Sequence, residues 1–377
     1  MLRVNAAETR FLRPDDSGTI QAAVDCLGPE GGTVVIPRWN ARTGKAEWRF
    51  DRPVVLKSHA TILLDNALIV QETDRFAHLF EAEEGAEKIA LIGEGNACLS
   101  GGKTSRLRIT TEGRFGLPAI ESVSMCVFRK VSELRIENLE ISDPHWFAFL
   151  LEDAKKVSVK NLRFNSYPVV PEEGGVLVLG GCQDISVENL TGRTGFDTIH
   201  VFSDHREISK LYARNILTDP ARGSLVTVRT EEDGKVHDVD LSVLMDSSDF
   251  YEKARSGSCL AFGRFERPGA GADSISRVNA RDLYSRAVNA VELLQPFSET
   301  RIENLMTFGD NIYAVGTRSK KAFLVENVAF DQIYYGAGSE PNNASTFISR
   351  FAKDAKPVST KDVSGYTVEH LYTQEEA

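Results

Sequence analysis

Apolar and polar residues alternate in one short phrase that recurs from residue 131 onward. Each copy then meets Asn or Asp followed by an apolar residue, most clearly in LRIENLEI at 134–141, VSVKNLRF at 157–164 and ISVENLTG at 185–192. Strict alternation is typical of a β-strand with one buried face. The sequence therefore predicts a repeated strand with a turn at the Asn or Asp. Weaker copies are LYARNILT at 211–218, VHDVDLSV at 236–243, VNARDLYS at 278–285, RIENLMTF at 301–308 and FLVENVAF at 323–330.

The spacing of the turn residues indicates the fold class. They recur at intervals of 22 to 28 residues, apart from one interval of 42. A period in the low twenties built from short strands predicts an all-β solenoid in which each repeat is one coil. Asn tolerates the left-handed conformation of a tight bend, and stacked amides can form a hydrogen-bonded ladder. The predicted turn residues are Asn138, Asn161, Asn189, Asn215, Asp240, Asp282, Asn304 and Asn327.

A second apolar segment lies between successive copies of the phrase, so each coil is expected to carry a second strand. Stacked in register, these strands would form one long parallel sheet, whose outward side chains line a groove for an extended ligand. The predicted second strands are 147–151, 175–180, 198–203, 225–230, 259–264, 290–295 and 312–317.

The N-terminal region predicts a cap for the solenoid. Residues 19–27 have helical apolar spacing, follow Asp15, Asp16 and Ser17, and end at Gly28. A short helix here would cover the open end of the first coil. The first strands are predicted within 31–37, 60–70 and 89–102. The whole chain is then one β-helix domain, with the cap and first strands in 1–60, coils in 61–335 and a C-terminal tail or cap in 336–377.

Composition and charge limit the partners. The 377 residues contain 44 Lys and Arg against 54 Asp and Glu, so the formal net charge of −10 argues against nucleic acid as a partner. No stretch approaches the ~18 apolar residues of a membrane helix, so no membrane partner is expected. The N-terminus lacks the apolar core of ~7 to 15 residues of a secretory signal, which predicts a cytoplasmic protein, or a secreted one if a signal was trimmed. A homo-oligomer is left open.

Five cysteines are scattered without the spacing of a metal site, so we expect small buried apolar side chains and neither metal nor cofactor. They are Cys26, Cys98, Cys126, Cys182 and Cys259.

The segment DDSGTIQAAVDCLGPEGGTVVIP at 15–37 resembles the opening of the pectin-lyase-like right-handed β-helix proteins. Within them the chain looks most like family 28 glycoside hydrolases, the polygalacturonases, over essentially its whole length. IGEGNACLSGG, SDPHWFAFLLEDAKKVSVKNLRF, FGRFERPGAG and AVELLQPF are similar to further motifs of that family. The resemblance implies a right-handed parallel β-helix, a short N-terminal capping helix and an oligosaccharide substrate.

The resemblance also locates the family's catalytic motifs, four of which depart from the family pattern here. Asn-Thr-Asp-Gly falls on residues 172–175, so Gly174 replaces its aspartate. Gly-Asp-Asp falls on residues 195–197, so Phe196 occupies the position of the general acid. Asp197 survives as one of the pair that activates water.

Two further motifs depart as well. Gly-His-Gly falls near residues 221–224, which contain no histidine. In Arg-Ile-Lys the arginine survives as Arg264, whereas Glu266 replaces the lysine. Glycoside hydrolysis by inversion needs two carboxyl groups, and Asp197 alone is insufficient.

We therefore consider Asp197, Glu173 and Glu266 the candidate catalytic residues. Glu173 lies one coil before Asp197 at the equivalent edge and is a candidate for the missing acid. The alternatives are a coil-turn aspartate at 197, a solvated turn at 172–173 and a structural ion pair between Glu266 and Arg264. The candidate substrate-binding residues are Arg264, His200, Arg222, Glu172, Gln295, Trp146 and Arg229.

His200, the aromatic residues and the charged run at 231–233 each allow more than one interpretation. His200 alternates with apolar Ile199 and Val201 and should face the groove beside Asp197, although a plain surface histidine is also consistent with the pattern. Aromatic residues can form platforms for sugar rings or lie in the core. Glu231, Glu232 and Asp233 are expected in a solvated turn. The aromatic candidates are Phe196, Phe202, Trp146 and Phe297.

The leading functional hypothesis is a glycoside hydrolase acting on plant-type or uronate-containing oligosaccharides, with a rearranged acid/base set. One alternative is a polysaccharide lyase or uronate epimerase, in which Arg264 neutralises the uronate carboxylate. Another is a non-catalytic glycan-binding protein.

Overall fold

The computed structural model describes residues 2–72, 78–102, 124–166, 174–246, 257–263, 274–287, 289–295 and 297–307, with further backbone strands at 311–317, 325–335, 355–357, 363–364 and 372–374. The chain forms two compact units. Residues 1–177 with 185–195 make the first, and residues 178–184 with 196–377 make the second.

The first unit contains one α-helix among its described residues, together with most of the early strands. A single 3-10 turn, Thr9–Phe11, precedes the helix α1, Asp16–Asp25. Its strands are β1 (Leu2–Asn5), β2 (Gly32–Pro37), β3 (Trp48–Phe50), β4 (Val54–Leu56), β5 (Ala60–Asp65), β6 (Leu68–Gln71), β7 (Phe80–Ala82), β8 (Ala90–Glu94), β9 (Cys98–Ser100), β10 (Cys126–Arg129), β11 (Ser132–Ser142), β12 (Phe147–Glu152), β13 (Lys155–Asn165), and most of β14 (Gly174–Leu179) and β15 (Gln183–Thr194).

These strands form two parallel sheets. The long-strand sheet runs β1-β2-β5-β8-β11-β13-β15, and β3, β6 and β9 join it beside β11. The short-strand sheet runs β4-β7-β10-β12-β14. Each strand pairs with the equivalent strand of the next coil, as the right-handed parallel β-helix requires.

The second unit repeats this arrangement. Its strands are β16 (Ile199–Ser203), β17 (Ile208–Pro220), β18 (Val226–Thr230), β19 (Val236–Asp246), β20 (Ser258–Phe262), β21 (Ile275–Ser285), β22 (Asn289–Leu293), β23 (Phe297–Thr307), β24 (Asn311–Thr317), β25 (Val325–Tyr335), β26 (Ala355–Pro357), β27 (Val363–Ser364) and β28 (Tyr372–Gln374). The long-strand sheet runs β17-β19-β21-β23-β25-β27, and the short-strand sheet runs β16-β18-β20-β22-β24-β28, with β26 antiparallel to β28. The predicted fold is therefore confirmed, and every predicted second strand is present.

Helix α1 begins three residues earlier than the sequence pattern suggested. Asp15 is the N-cap, and its side chain accepts a hydrogen bond of 2.6 Å from the backbone N–H of Gly18. This bond satisfies one of the N–H groups that a first helical turn leaves unpaired. Buried Asp16 accepts hydrogen bonds from Arg42 and from the backbone of Arg49, which ties the helix to β3.

The long strands bend at the residues that the repeated phrase predicted. Asn138, Asn161 and Asn189 have positive φ angles of 59°, 56° and 57°. Asn161 Nδ2 donates to Asn138 Oδ1 at 2.9 Å, and Asn189 Nδ2 donates to Asn161 Oδ1 at 2.8 Å. The predicted amide ladder is confirmed in the first unit. Asn304 Nδ2 donates in the same way to Asp282 Oδ1 at 2.6 Å in the second unit.

Two predicted turn residues were wrong. The pairing of β17 with β19 places Arg214 opposite Ser242 and Ile216 opposite Leu244, so Val243 faces Asn215 and has a φ of 55°. Asp240 lies opposite Tyr212 within the straight part of the strand. The buried residues decide this register, because shifting the strand would expose them.

The other error concerns β25. Its pairing with β23 places Ser298 opposite Glu326 and Thr300 opposite Val328. Asn327 therefore lies in the register of Glu299, and not in that of Asn304.

A second column of left-handed residues, missed in the sequence, lies near the start of each long strand. In the second unit it contains Asp184, Lys210, Asp238, Arg277 and Glu299, all with positive φ. The sign of the charge alternates from one coil to the next. Lys210 Nζ lies 3.7 Å from Asp184 Oδ1, and Arg277 Nε lies 2.7 Å from Asp238 Oδ1.

The first unit shows the same alternation at Lys88, Glu133 and Lys156, which all have positive φ. Lys156 Nζ lies 3.6 Å from Glu133 Oε1. Exposed pairs of this kind contribute little individually, but like charges on adjacent coils would be unfavourable. The column therefore favours one register of the coils.

The Val243 bend predicts a stabilising substitution. Val243→Asn should raise the free energy of unfolding by about 1 kcal/mol, because Asn adopts the left-handed conformation more readily than a β-branched residue. The denaturant midpoint at constant m-value measures the change.

The matched control is Asn161→Val, which should lower the free energy of unfolding by roughly 1 to 3 kcal/mol through the strained bend and the lost ladder bonds. Equal midpoints for wild type and both variants would refute the assignment of these bends.

Candidate active site

The short-strand sheet of the second unit brings distant parts of the chain into rows. On its outward face, register pairs His200 with Thr227, Thr227 with Ala261, and Ala261 with Glu292. The alternate residues of β16, Ile199 and Val201, are fully buried in the core. Strand alternation thus places one histidine and one glutamate on the same face.

Asp197 and His200 form a buried pair at the start of β16. His200 Nδ1 lies 2.5 Å from Asp197 Oδ2, and only a few per cent of either side chain is exposed. An ionised carboxylate only accepts hydrogen bonds, so in this pair the His200 Nδ1 carries the proton. His200 lies beside Asp197 as its position in the sequence suggested, and the surface-histidine alternative is wrong.

Backbone packing fixes the other carboxylate oxygen. The Ser224 backbone N–H donates to Asp197 Oδ1 at 2.7 Å. A Cβ at Gly223 would come within 2.3 Å of the Asp197 backbone N, so only glycine fits there. Ser224 Oγ in turn accepts from the Ser258 backbone N–H at 3.2 Å. Successive coils therefore hold the Asp197 carboxylate in one orientation.

Glu292 is the ionisable residue that sequence reasoning missed. It is buried on β22, and Asn289 Nδ2 donates to its Oε1 at 3.2 Å. Burial raises the pKa of the Glu292 carboxyl to about 7, the Asn289 hydrogen bond opposes this, and the negative charge of Asp197 raises it further. A signal was present, because Glu292 is the one charged residue of the apolar strand NAVEL.

Aromatic contacts lie at two of the positions that depart from the polygalacturonase motifs. Phe196, in the family's general-acid position, stacks on the His200 ring with a centroid distance of 6.5 Å and an interplanar angle of 20°. In the first unit, a Cβ at Gly174 would lie 2.3 Å from the Phe147 ring. The Phe147 side chain therefore fills the space that an aspartate at 174 would need.

Arg229 lies two residues along β18 from Thr227, on the same face of the strand and in the row next to that of His200. Its guanidinium carbon lies 4.5 Å from the centroid of the Phe202 ring, and its Nη2 forms an ion pair with Glu231. Glu231 begins the predicted turn, since its carbonyl accepts from the Gly234 N–H, but its side chain is only 19% exposed. Glu232 and Asp233 are 65% and 80% exposed, as expected for such a turn.

Gln295 links two coils of the second unit. Its Nε2 donates to Thr230 Oγ1 at 2.8 Å, and its Oε1 accepts from the Thr230 backbone N–H at 3.2 Å. Each polar end of this buried amide thus bonds to Thr230, and its role in substrate binding stays a prediction. Phe297 is fully buried and stacks on Phe262 at 4.5 Å, so it belongs to the core.

The remaining candidates are distributed over the chain. Arg222 is exposed on the turn after β17. Trp146 belongs to the first unit, where it packs edge to face against Phe147 at 5.8 Å. The substrate-binding roles proposed for these two residues remain predictions. Glu172, Glu173, Arg264 and Glu266 lie outside the described residues.

Among the residues that the structure describes, no group of three or more His, Cys, Asp or Glu side chains is arranged to hold a metal ion. In the same part of the chain, no helix has the length and apolar character needed to cross a membrane. Cys126, Cys182 and Cys259 are buried as expected, whereas Cys26 is exposed and Cys98 is partly exposed.

Solved structures with this architecture include polygalacturonases. The hyperthermoactive exopolygalacturonase of Thermotoga maritima has a TM-score of 0.53 and 14% identity, with coverage of 100% of this chain and 95% of that one. This chain shares the parallel β-helix fold of that enzyme. The family 28 exopolygalacturonase of Yersinia enterocolitica gives 0.53 and 13%, covering 99% of this chain and 78% of that chain.

The polygalacturonase of Erwinia carotovora ssp. carotovora gives a TM-score of 0.52 and 11% identity, covering 99% of this chain and 96% of that one. No protein-family model and no curated protein sequence matches the chain. At these identities the likeness establishes the fold, and the chemistry must be argued from the residues themselves.

The raised pKa of Glu292 predicts a pH-dependent stability. Because the folded state keeps the Glu292 proton up to about pH 7, while the unfolded carboxyl loses it near its ordinary pKa of 4.5, stability from this group falls as pH rises between those values. Glu292→Gln removes this loss. The variant should exceed wild type by about 1 to 3 kcal/mol at pH 8 and match it near pH 4.5, measured by urea unfolding.

The control is Asp240→Asn, which neutralises a half-buried carboxyl on the other sheet. Its difference from wild type should not follow the Glu292 titration. A constant difference between Glu292→Gln and wild type from pH 4.5 to 8 would contradict the assigned protonation.

Proposed function

We propose that the protein is a glycoside hydrolase that acts on plant-type oligosaccharides and uses Asp197 and Glu292 as its two carboxyl groups. The observation that carries the proposal is the buried pair of Asp197 and His200 at the N-terminal end of β16, with buried Glu292 three strands along on the same face, where the charge of Asp197 contributes to raising its pKa. Buried ionisable groups of differing protonation are typical of acid/base sites.

The two carboxyl groups have different environments, which assigns them different roles. Glu292 keeps its proton up to about pH 7, so it suits protonation of the oxygen that leaves the anomeric carbon. Asp197 occupies the family position of a water-activating residue and is held by His200 and the Ser224 N–H. It suits removal of a proton from the attacking water.

The reaction then needs only substrate and water. Glu292 gives its proton to the glycosidic oxygen as the bond from that oxygen to the anomeric carbon breaks. Water bonds to the same carbon, and its proton passes to Asp197. Glu292 thereby serves as the general acid, whose position in family 28 enzymes is occupied here by Phe196. The candidates for this role in the sequence were Glu173 and Glu266.

The structural neighbours support this class of substrate, because the names of three of them include polygalacturonase or exopolygalacturonase. Family 28 enzymes and this chain share the fold at low identity, so the substrate itself must come from experiment. The position of Asp197 in the family's motif and the chemistry of Glu292 favour hydrolysis over glycan binding without turnover.

The test is a screen of pectin-derived and plant-derived oligosaccharides, with products identified by mass spectrometry. On the substrate found, Asp197→Asn and Glu292→Gln should each lower kcat by at least ~100-fold, the scale of lost acid or base participation. Wild-type kcat should also fall above about pH 7, as Glu292 loses its proton.

Asp240→Asn serves as the control and should keep full activity. Ultraviolet-absorbing unsaturated products would indicate elimination and overturn the hydrolase assignment. Sugar binding with no turnover of any substrate would indicate a glycan-binding protein. Full activity in Asp197→Asn would place the active site elsewhere.

A further inference from the structure

The short-strand sheet carries a second row of side chains next to the row of His200. Register pairs Phe202 with Arg229, two residues along from the pair His200 and Thr227. At about 3.3 Å per residue, this row lies about 7 Å from the His200 row along the strands. A sugar chain bound over Asp197 and His200 would reach it with an adjoining unit.

Arg229 is held by Phe202 of this row and by Glu231, which directly follows β18. The Phe202 ring lies against its guanidinium, and the Glu231 carboxylate pairs with Nη2. The Arg229 and Glu231 side chains are 12% and 19% exposed, so solvent screens their charges less than those of a surface pair. Gly263, whose N–H donates to Val228 O, adds no side chain beside Arg229.

The charge of this row differs from that of a carboxylate-binding site. Arginine recognises a carboxylate through its uncompensated positive charge and its forked donors. Here Glu231 balances the charge of Arg229, and an incoming carboxylate would lie close to the like charge of Glu231. A sugar hydroxyl both donates and accepts hydrogen bonds, so it fits an Arg and Glu pair without this repulsion.

Asp197, His200 and Glu292, the other ionisable groups described on this face, leave no excess of positive charge to attract a carboxylate. Asp197 is paired with His200, and Glu292 adds no positive charge in either protonation state. The side chains that register and hydrogen bonds place on this face therefore include three carboxyl groups, those of Asp197, Glu231 and Glu292, together with the Arg229 guanidinium and the His200 imidazole. Arg222 lies exposed on the turn next to Gly223.

We propose that the sugar unit lying against Arg229 is neutral, and that Glu231 is the residue that excludes a uronate there. The proposal rests on the proposed function for the placement of an oligosaccharide on this face. Glu231 would then determine which sugar is bound. In a site that binds uronate, the arginine would instead be available to pair with the uronate carboxylate.

The experiment compares two trimers that differ only in their carboxyl groups. These are α-1,4-linked trigalacturonate and its carboxyl-reduced form, with affinities for the full-length protein measured by titration calorimetry. Wild type should bind the reduced trimer about 10-fold more tightly than the acidic one. Glu231→Gln should remove this preference, because it leaves the Arg229 charge unbalanced while keeping the shape of the side chain.

Glu232→Gln is the matched control, since Glu232 is the neighbouring glutamate and its side chain lies 2.8 Å from His205 Nε2 on the exposed turn. Its ratio of the two affinities should equal that of wild type. The proposal would be overturned if the wild-type protein prefers the acidic trimer or binds neither trimer. It would also be overturned if Glu231→Gln and Glu232→Gln change the ratio of the two affinities equally.

These outcomes are separate from those that test the hydrolase. Preferential binding of the reduced trimer without turnover of any substrate would keep the specificity assignment and refute the hydrolase. Hydrolysis of acidic substrates that is unchanged in Glu231→Gln would keep the hydrolase and refute the role of Glu231.

Discussion

The parallel hydrogen bonding between coils requires each coil to bend at the same positions as its neighbours, and two of these bends lie within the long strands. Both bends use left-handed backbone conformations, which most residues adopt at a cost of roughly 1 to 2 kcal/mol. One bend is occupied mainly by Asn, with Asp282 and Val243 as exceptions, and the other by charged residues. Strand pairing, core filling and the stacking of side chains into rows all depend on this shared geometry.

The candidate site is a product of that stacking. Asp197, Ser224 and Ser258 are separated by 27 and 34 residues in the chain, yet hydrogen bonds join each to the next. Glycine at 223 allows the backbones to approach closely at this edge. The orientation of the Asp197 carboxylate therefore comes from the neighbouring coils as much as from its own. Residues that are far apart in the chain can therefore act on the same group.

The sequence supported prediction of the fold because its decisive features are local. Alternation and an Asn with a left-handed bend recur in each phrase, and the second strands are short apolar segments. The error at Asp240 arose because Asp and Asn are interchangeable in such a pattern, whereas the register is decided by which apolar residues the next strand buries. Val243 carried no local sign of a bend.

The site was less predictable than the fold. The motif position of Asp197 and strand alternation placed His200 beside it, but burial of the pair depends on residues from several coils. Glu292 was visible as a charge in an apolar strand, yet its protonation depends on desolvation by distant neighbours. Gln295 matched a motif of the similar family, but its hydrogen bonds to Thr230 of another coil depend on the stacking of the coils.

The alternating charges of the second bend column have a consequence for how such a chain can change in length. Removing or duplicating one coil within the column Asp184, Lys210, Asp238, Arg277 and Glu299 would bring two like charges next to each other. Removing or duplicating two adjacent coils would preserve the alternation. Coils of this solenoid can therefore be gained or lost in pairs without new electrostatic repulsion, whereas a change by a single coil would create it.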